Sequence, residues 1–346
     1  MTAHVSIPAR QTSVKPTLRD VALRAGVSAK TVSRVVNGEK YVAAETIERV
    51  KEAIDALGFR PNAAAQSLRL GSNLPSIGLV IEDLANPFYS AVARAVEEVA
   101  RARGHMVIVG SSEEDPEDER QLVNNLLRRL VNGLILVPAG DDHRYLEQEI
   151  ESGTPIVFLD RPPGHLKADV VLLDDVGGAK GAVEHLLDQG HKRIGLVGDA
   201  PSLYTARKRA EGYRRALTNR GIRHDAALER MGSHSVESAE QSATELLSLP
   251  KPVSAIFATN NRNCIGVLRA VQKAGVDAAI VGFDDFELAD LLSTPVTVVS
   301  YNAAEMGTRA AELLFDRLEG STRPPRRIRM ATRVVPRGSG ERTPRR

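Results

Sequence analysis

The spacing of hydrophobic residues follows a helical period up to about residue 57. Apolar positions recur there with a period near 3.6 residues, which predicts three short helices, Leu18 to Ala25, Ser28 to Val36 and Ala44 to Leu57. Gly58 stops the third helix, and Pro61 opens a short helix-compatible segment, Asn62 to Leu70. Residues 71–75 are typical of a linker, and residues 1–15 have no periodicity. We therefore expect a small helical head joined by a linker to the rest of the chain.

From Ser76 onward, short apolar runs alternate with amphipathic helical patterns. The runs that predict strands are Ser76 to Ile81, His105 to Val109, Leu134 to Val137, Pro155 to Leu159, Ile194 to Val197, Ala255 to Phe257 and Ala279 to Phe283. Continuous apolar strands between helices are typical of parallel sheets that are covered on both faces. The segment is too long for one simple sheet, so we expect two α/β subdomains with a ligand between them, at the carboxyl ends of the strands.

Composition narrows the function classes. The chain has 346 residues, 42% of them hydrophobic, without the 18-residue apolar run that a transmembrane helix needs, and residues 1–15 lack the apolar core of a secretory signal. One cysteine, Cys264, excludes an internal disulfide, and the eight histidines show no zinc-ligand spacing. Nucleophile-elbow and phosphate-loop motifs are absent from the sequence. We expect a cytoplasmic protein that is not an enzyme, with no cofactor, no metal and no membrane partner.

The net charge of +2 hides an uneven distribution. Residues 1–74 carry a net charge of +5, residues 75–319 carry −11, and residues 320–346 carry +8. A basic head suits phosphate binding, and an acidic body would repel DNA. A merely solvated surface is the alternative explanation of such charge blocks. The arginine- and proline-rich tail has no assigned role, and its last residues are expected to be disordered.

The strongest motif lies in the first two predicted helices. Ala22 is small where the two helices would cross, Gly26 allows a positive φ in the tight turn, and Ser28 can cap the second helix. Val21, Val27, Val32 and Val35 would form the shared core. This arrangement leaves Ala29, Lys30, Ser33 and Arg34 on the outer face, where the recognition helix of a helix-turn-helix meets the major groove. An ordinary helical hairpin is the alternative.

Three consecutive segments of the head resemble the headpiece of the lactose-repressor/galactose-repressor family. They are Thr17-Leu18-Arg19-Asp20-Val21-Ala22, Ala25-Gly26-Val27-Ser28 and Thr31-Val32-Ser33-Arg34-Val35-Val36-Asn37. Pro61-Asn62-Ala63-Ala64-Ala65-Gln66-Ser67-Leu68 resembles that family's hinge helix, and the body is similar too, so that the resemblance covers roughly residues 16–338. It implies an α/β fold class: a helix-turn-helix headpiece and a periplasmic-binding-protein-like body of two α/β subdomains with parallel sheets.

The resemblance also implies domain boundaries. They are a disordered N-terminus at 1–15, a DNA-binding domain at 16–60, a hinge helix and linker at 61–74, an effector-binding and dimerisation domain at 75–338, and a disordered basic tail at 339–346. Within the body, the N-subdomain would comprise about 75–175 and 303–320, and the C-subdomain about 176–302 and 321–338.

For the DNA, the resemblance places Ala29, Lys30 and Arg34 at base edges, where guanidinium and ammonium groups can donate to guanine O6 and N7. It places five residues at phosphates, namely Thr17, Ser28, Thr31, Ser33 and Asn37. From the hinge helix it adds Asn62, Ala65 and Leu68, and Leu68 would wedge into the minor groove and kink the DNA. A core leucine is the alternative for Leu68.

For the effector, the resemblance implies a cleft site of Phe88, Tyr89, Asp160, Arg161, Arg209, Asn260, Asp284 and Tyr301. Phe88 and Tyr89 could stack on a sugar ring, with core packing as the alternative for Phe88. Arg209 and Asp284 offer complementary donors and acceptors for a polyhydroxylated ligand. A structural ion pair is the alternative for Arg209 with Asp284, and a surface ion pair is the alternative for Asp160 with Arg161.

The chain departs from the family pattern at two places near this site. Asn260-Asn261-Arg262 stands where relatives have Asn-Asp, and Ser300-Tyr301-Asn302 stands where a Gln-Pro pair is common; the loop at 275–278 is also short. These changes leave the effector's identity open. The acidic run at Glu113 to Glu119 is interpreted as a solvated loop and helix N-terminus rather than a cation site.

Together these observations predict a homodimeric transcription regulator, a repressor that binds a palindromic double-stranded operator and is released by a monosaccharide or a derivative. A corepressor-dependent regulator that senses a non-sugar metabolite is the alternative. A sugar-binding transport protein lacks the helix-turn-helix, and turnover of a sugar would indicate an enzyme.

Overall fold

The computed structural model of the protein describes residues 16–36, 42–57, 75–128 and 131–344. The expectations for residues 1–15, for Asn37, for the hinge residues Asn62, Ala65 and Leu68 and for residues 345–346 lie outside the described residues. The chain divides into two compact units, a head that ends at Leu74 and a body that begins at Pro75.

The head contains the three predicted helices, α1 (Leu18–Ala25), α2 (Ala29–Val36) and α3 (Ala44–Leu57). Thr17 and Asp20 form a capping box at the start of α1, and Gly26 ends that helix with a φ of +65°. Val21, Val32 and Val50 are fully buried where the three helices meet. Local capping signals and one small apolar core therefore fix the helix-turn-helix predicted from the sequence.

The body contains twelve described strands in two six-stranded sheets. They are β1 (Ser76–Ile81), β2 (Met106–Ser111), β3 (Gly133–Leu136), β4 (Ile156–Leu159), β5 (Asp169–Leu173), β6 (Ile194–Gly198), β7 (Glu229–Met231), β8 (Ala255–Ala258), β9 (Ala279–Phe283), β10 (Thr297–Ser300), β11 (Arg327–Met330) and β12 (Arg333–Val335). The first sheet has the order β11-β5-β4-β3-β1-β2 and the second β12-β10-β9-β8-β6-β7. All pairs are parallel except that of β10 with β12.

Eight described α-helices cover these sheets. They are α4 (Pro87–Ala102), α5 (Pro116–Arg128), α6 (Glu147–Glu151), α7 (Asp175–Asp188), α8 (Tyr204–Asn219), α9 (Val236–Leu247), α10 (Asn261–Ala274) and α11 (Ala303–Leu318). Helix α11 packs on α4 and the first sheet, whereas the pairs α7–α8 and α9–α10 pack on the second. The fold class predicted from the sequence is confirmed. None of the described helices is long and apolar enough to cross a membrane.

The chain passes between the two halves of the body three times. The crossings follow β5, β10 and β11, so that each sheet combines five consecutive strands with one strand from the last part of the body. The last crossing corrects the expected subdomain boundary, because β11 pairs with β5 in the first sheet instead of joining the C-subdomain. Of the segment 321–338, only β12 pairs with the second sheet.

The expectation of a disordered tail from residue 339 is wrong for residues 339–344. Ser339 is 3% exposed, and its main chain and hydroxyl bond to Ile280, Thr297 and Pro295 beside β9 and β10. The Glu341 carboxylate accepts from the Thr297 hydroxyl at 2.8 Å and contacts His185. The prediction failed because these partners are remote in sequence and a local count of arginines and prolines does not reveal them.

Candidate functional site

A cleft lies between the two sheets of the body, where the carboxyl ends of their strands face each other. Its lining residues are Glu82, Asn86, Phe88, Tyr89, Glu114, Asp160, Arg161, Asp199, Leu203, Thr205, Ala206, Arg209, Thr259, Asn260, Arg262, Asp284 and Tyr301. All eight residues that the sequence assigned to an effector site are in this set. The structure thus brings these eight residues together from four strand ends and two helices, as expected at the carboxyl edge of parallel sheets.

Arg209 is the centre of one charged group in the cleft. It is 6% exposed, and its Nε donates to Asp175 Oδ1 at 2.8 Å while its Nη1 donates to the Thr259 carbonyl at 2.6 Å. Asp284 Oδ2 lies 3.4 Å from the same Nη1, and the guanidinium stacks 3.8 Å from the centre of the Phe283 ring. These contacts fix the guanidinium plane, so Arg209 can present a fixed donor to a ligand.

Arg161 is the centre of a second group, in the other half. Its Nη2 donates to Glu82 Oε2 at 3.0 Å and to Glu114 Oε1 at 2.5 Å, and its Nη1 donates to the Pro138 carbonyl at 2.9 Å. Arg161 is 4% exposed, so the alternative of a surface ion pair does not apply to it. Each half of the body thus contributes one buried arginine held by carboxylates.

Two aspartates of the cleft have a strained backbone. Asp160 follows β4 with a φ of 65°, and Asp284 follows β9 with a φ of 70°. Residues other than glycine seldom adopt this left-handed region, and Asp and Asn tolerate it best. Both carboxylates are thereby turned into the cleft at the ends of their strands.

Aromatic rings form one wall of the cleft. The Phe88 ring packs edge-on against Tyr89 and Tyr301, with centroids 4.7 and 5.8 Å away. Tyr89 is 2% exposed and its hydroxyl donates to Glu82 Oε2 at 2.9 Å, whereas the Tyr301 hydroxyl donates to Asp284 Oδ1 at 2.8 Å. The two tyrosines therefore position carboxylates, and Phe88, which is half-buried, is the ring better placed to meet a ligand.

Asn260 combines a structural contact with its place in the cleft. Its Oδ1 accepts from the Asn263 N–H at 2.7 Å and so caps α10, and its Nδ2 donates to Asp199 Oδ2 at 3.0 Å. The cap is the local reason for an asparagine at the end of β8. Asp199, which follows β6, is held in place by this amide.

Four polar pairs join the two halves across the cleft. Arg207 contacts Asp141 at 3.0 Å, Asn261 Nδ2 donates to Asn86 Oδ1 at 3.0 Å, His234 Nδ1 lies 3.3 Å from Glu114 Oε2, and Arg262 contacts Asp83. Asn261 and Arg262, which stand where the chain departs from the family pattern, each belong to one of these pairs. A change in the separation of the two halves would therefore change these contacts.

Burial shifts the ionisation of several groups in the cleft. Burial, together with the neighbouring Glu114, raises the pKa of Glu82 to about 7, although Arg161 opposes the shift. Burial also raises the pKa of Asp175 to about 7 and raises that of Asp160. Burial alone would lower the pKa of His234, but Asp199 and Glu114 raise it above its usual range. Glu82, Asp160 and Asp175 thus resist ionisation in this enclosed space.

The interpretation of the acidic run at 113–119 as wholly solvated is wrong for two of its members. Glu114 lines the cleft, and Glu119 is 1% exposed and accepts from the Ala139 N–H at 2.6 Å and the Tyr145 hydroxyl at 2.6 Å. Sequence reasoning also missed Glu82 and Asp199. Their signal was present, because each directly follows an apolar strand that ends at the cleft.

The head shows how its predicted DNA-facing residues are arranged. Ala29, Lys30 and Arg34 are exposed along α2, and Ser33 is half-buried beside them. Ser28 caps α2, since its hydroxyl accepts from the Thr31 N–H at 3.1 Å. Arg49, which the sequence did not single out, donates to the Ala25 carbonyl at 2.7 Å and thereby caps the end of α1.

Comparison with known proteins agrees with this architecture. Residues 17–62 match the model of bacterial regulatory proteins, lacI family, and residues 183–340 match a periplasmic binding protein-like domain. The HTH-type transcriptional regulator CelR of Thermobifida fusca is 33% identical and the alignment covers 94% of this chain and 98% of CelR. The ribose operon repressor of Escherichia coli is 31% identical, with 93% of this chain and 99% of the repressor covered.

Solved structures give the same result. The lac repressor dimer bound to operator and the anti-inducer ONPF is 29% identical with a TM-score of 0.79, over 94% of this chain and 99% of the repressor. The CelR–cellobiose complex is 31% identical with a TM-score of 0.71, over 94% of this chain and 99% of that chain. The resemblance seen in the sequence is therefore confirmed, and the chain belongs to the LacI family of DNA-binding transcriptional regulators.

Proposed function

We propose that this regulator represses transcription as a homodimer on a palindromic operator and that a small hydroxylated ligand in the cleft releases it. The observation that carries the proposal is the set of four polar pairs across the cleft, in a chain that also contains a helix-turn-helix. A ligand that changes the free energy of these pairs changes the balance between arrangements of the two halves. Operator binding and ligand binding then oppose each other to the same degree.

The chemistry of the cleft supports a ligand with several hydroxyl groups. Arg209 is a donor, Asp160 and Asp284 are acceptors, and Phe88 offers a ring face. The relatives include a CelR–cellobiose complex and a ribose operon repressor, which are sugar-related by their own descriptions. For this chain we propose a monosaccharide or a derivative, bound by Phe88, Tyr89, Asp160, Arg161, Arg209, Asn260, Asp284 and Tyr301.

On the DNA side, we assign Ala29, Lys30 and Arg34 to base edges, because all three are exposed on α2. Thr17, Ser28, Thr31 and Ser33 are assigned to phosphates, together with Asn37, which lies outside the described residues. The hinge residues Asn62, Ala65 and Leu68 complete the proposal. The protein acts by binding alone, without catalysis, and works in the cytoplasm, where its operator is.

A DNA-binding titration tests this proposal. The full chain is first used to select its operator from a random DNA pool, and the affinity of Arg34→Ala for that operator is then measured by gel shift. Loss of a bidentate base contact is expected to weaken binding about 10- to 100-fold, since such contacts contribute about 1–3 kcal/mol. The matched control is Lys51→Ala, which removes an exposed positive charge from α3 instead. Equal affinities of the two variants would contradict the assignment.

A further inference from the structure

The two halves of the body place acidic residues at equivalent positions. Strands β1 and β6 are the fifth strands of the two sheet orders, and β4 and β9 are the third. Glu82 follows β1 and Asp199 follows β6, whereas Asp160 follows β4 and Asp284 follows β9. Because equivalent strand ends face each other, four carboxylates converge on the cleft from both sides.

The arginines of the cleft do not balance this negative charge. Its described lining has five carboxylates, the four above and Glu114, but only three arginines. Two further carboxylates, Asp175 and Asp83, stand behind the lining and occupy Arg209 and Arg262. His234, between Glu114 and Asp199, adds at most one positive charge. The enclosed space therefore has more acidic groups than basic ones, and its net charge is negative when all of them are ionised.

Among the carboxylates of the cleft, Asp160 has the weakest contacts with hydrogen-bond donors and positive charges. It is 4% exposed, and its Oδ1 finds no hydrogen-bond partner among the described residues. Its Oδ2 lies 3.9 Å from the Arg161 Nε, beyond hydrogen-bonding distance. A buried carboxylate oxygen without a donor is costly, so it is expected to receive one from a ligand.

The ionisation of the cleft agrees with this picture. Burial raises the pKa of Asp160, and the nearby Asp284 and Glu82 raise it further, against the effect of Arg161 and Arg209. Asp160 therefore tends to keep its proton unless a further positive charge lies beside it. A cation beside Asp160 would let the carboxylate ionise and would gain the attraction of its neighbours.

We propose that the effector of this cleft is a hydroxylated amine, such as an amino sugar, whose ammonium group binds at Asp160 between the two halves. This inference rests on the proposed function, which makes the cleft the effector site. Neutral sugars can still donate hydroxyls to the carboxylates, but they leave the excess charge in place. Sugar acids and sugar phosphates are repelled by it.

The experiment compares ligands that differ in charge on one ring. Thermal shifts of the full chain are measured at about pH 6.5, where an alkyl amine is protonated, with glucosamine, glucose, N-acetylglucosamine and glucuronate, and with the galactose counterparts. In at least one series the amine is expected to bind about tenfold more tightly than the neutral sugar. N-acetylation, which removes the charge, is expected to abolish the gain, and the acid is expected not to bind.

A substitution at Asp160 tests whether this residue causes the preference for the amine. Asp160→Asn removes the charge and suits the left-handed backbone, so it is expected to fold and to lose the preference for the amine. Asp118→Asn removes an exposed carboxylate from the first turn of α5, outside the cleft, and is expected to keep the preference. An unchanged preference in Asp160→Asn, equal binding of the acid, or binding of none of the amines would overturn the inference.

Operator binding separates this inference from the proposed function. If an amine binds the cleft but leaves operator affinity unchanged, the ligand class stands and the proposed release fails. If a neutral sugar releases the operator and the amines do not bind, the release stands and the inference about charge is wrong.

Discussion

Replacing Glu82 by glutamine is expected to stabilise the protein at neutral and alkaline pH. The Glu82 carboxyl is buried beside Glu114, and its pKa is raised from 4.5 to about 7 in the folded state. Glutamine keeps a carbonyl oxygen that can accept from the Tyr89 hydroxyl and from Arg161, as Glu82 Oε2 does. Arg161 also keeps Glu114 and the Pro138 carbonyl. The substitution therefore removes mainly the cost of ionising a buried acid.

The sign of the pH dependence follows from the direction of the shift. A carboxyl with a raised pKa in the folded state binds its proton more tightly there than in the unfolded chain. The contribution of Glu82 to the free energy of unfolding of the wild type therefore falls as pH rises from about 4.5 to about 7, and then levels off. Asp175 contributes in the same direction, and comparing variant with wild type cancels its contribution.

The size of the effect follows from the same shift. One pKa unit corresponds to about 1.4 kcal/mol, so the upper bound for Glu82 is about 3 kcal/mol. Because Glu82 lies among other charged groups that respond to its ionisation, we expect a gain of about 2 kcal/mol for Glu82→Gln at about pH 8 and almost none at about pH 5. At the lower pH the wild-type carboxyl is already protonated and resembles glutamine.

Scanning calorimetry of the full chain, at one protein concentration and at both pH values, measures the effect. A gain of about 2 kcal/mol corresponds to a rise of several degrees in the Tm of the body. The control Glu117→Gln removes an exposed carboxylate from the first turn of α5 and is expected to change stability little at either pH. A difference that does not depend on pH, or a variant less stable than wild type at pH 8, would refute the reasoning.

Two further changes test the packing of the body. Gly212→Ala would place a Cβ 2.5 Å from the Val176 carbonyl oxygen, where α8 meets α7, and is expected to lower the Tm by several degrees. In Gly181→Ala the new Cβ meets only the Val334 side chain, at 3.5 Å, so this substitution is expected to raise stability by about 0.5–1 kcal/mol. A Gly212→Ala variant more stable than Gly181→Ala would contradict this packing. Truncation after residue 338 removes the bonds of Ser339 and Glu341 to the second sheet and is expected to lower the Tm, whereas removal of residues 345–346 alone is not; equal melting of the two truncated chains would support the disordered tail.

The sequence predicted the features that depend on local signals. The bounds of α1 and α3 agree with the structure to the residue, because both helices have a helical apolar period and Gly26, with its positive φ, ends α1. Seven of the eight cleft residues could also be found, since each follows a predicted strand, begins a helix or matches a family motif; Tyr301 was assigned at a departure from the family pattern. Their contacts with one another could not be derived from the sequence.

Features that depend on remote partners were not predictable. Strands β11 and β12 are short edge strands made of exposed and half-buried residues, so neither has the apolar run that marks the inner strands. Glu114 and Glu119 belong to a charged run whose sequence pattern is typical of a solvated segment. In the folded chain Arg161 donates to Glu114 and the Ala139 N–H donates to Glu119. The same holds for Ser339, which becomes buried only against β9 and β10.

The coupling between the cleft and the operator is the central claim, and operator affinity measured with and without a cleft ligand tests it most directly. The full chain is titrated onto its selected, fluorescently labelled operator in the absence and presence of the sugar or amino sugar that stabilises the body most in the thermal-shift series. We expect the ligand to weaken operator binding about 5- to 150-fold, which corresponds to a coupling of about 1–3 kcal/mol. An unchanged operator affinity at a ligand concentration that saturates the cleft would contradict the account.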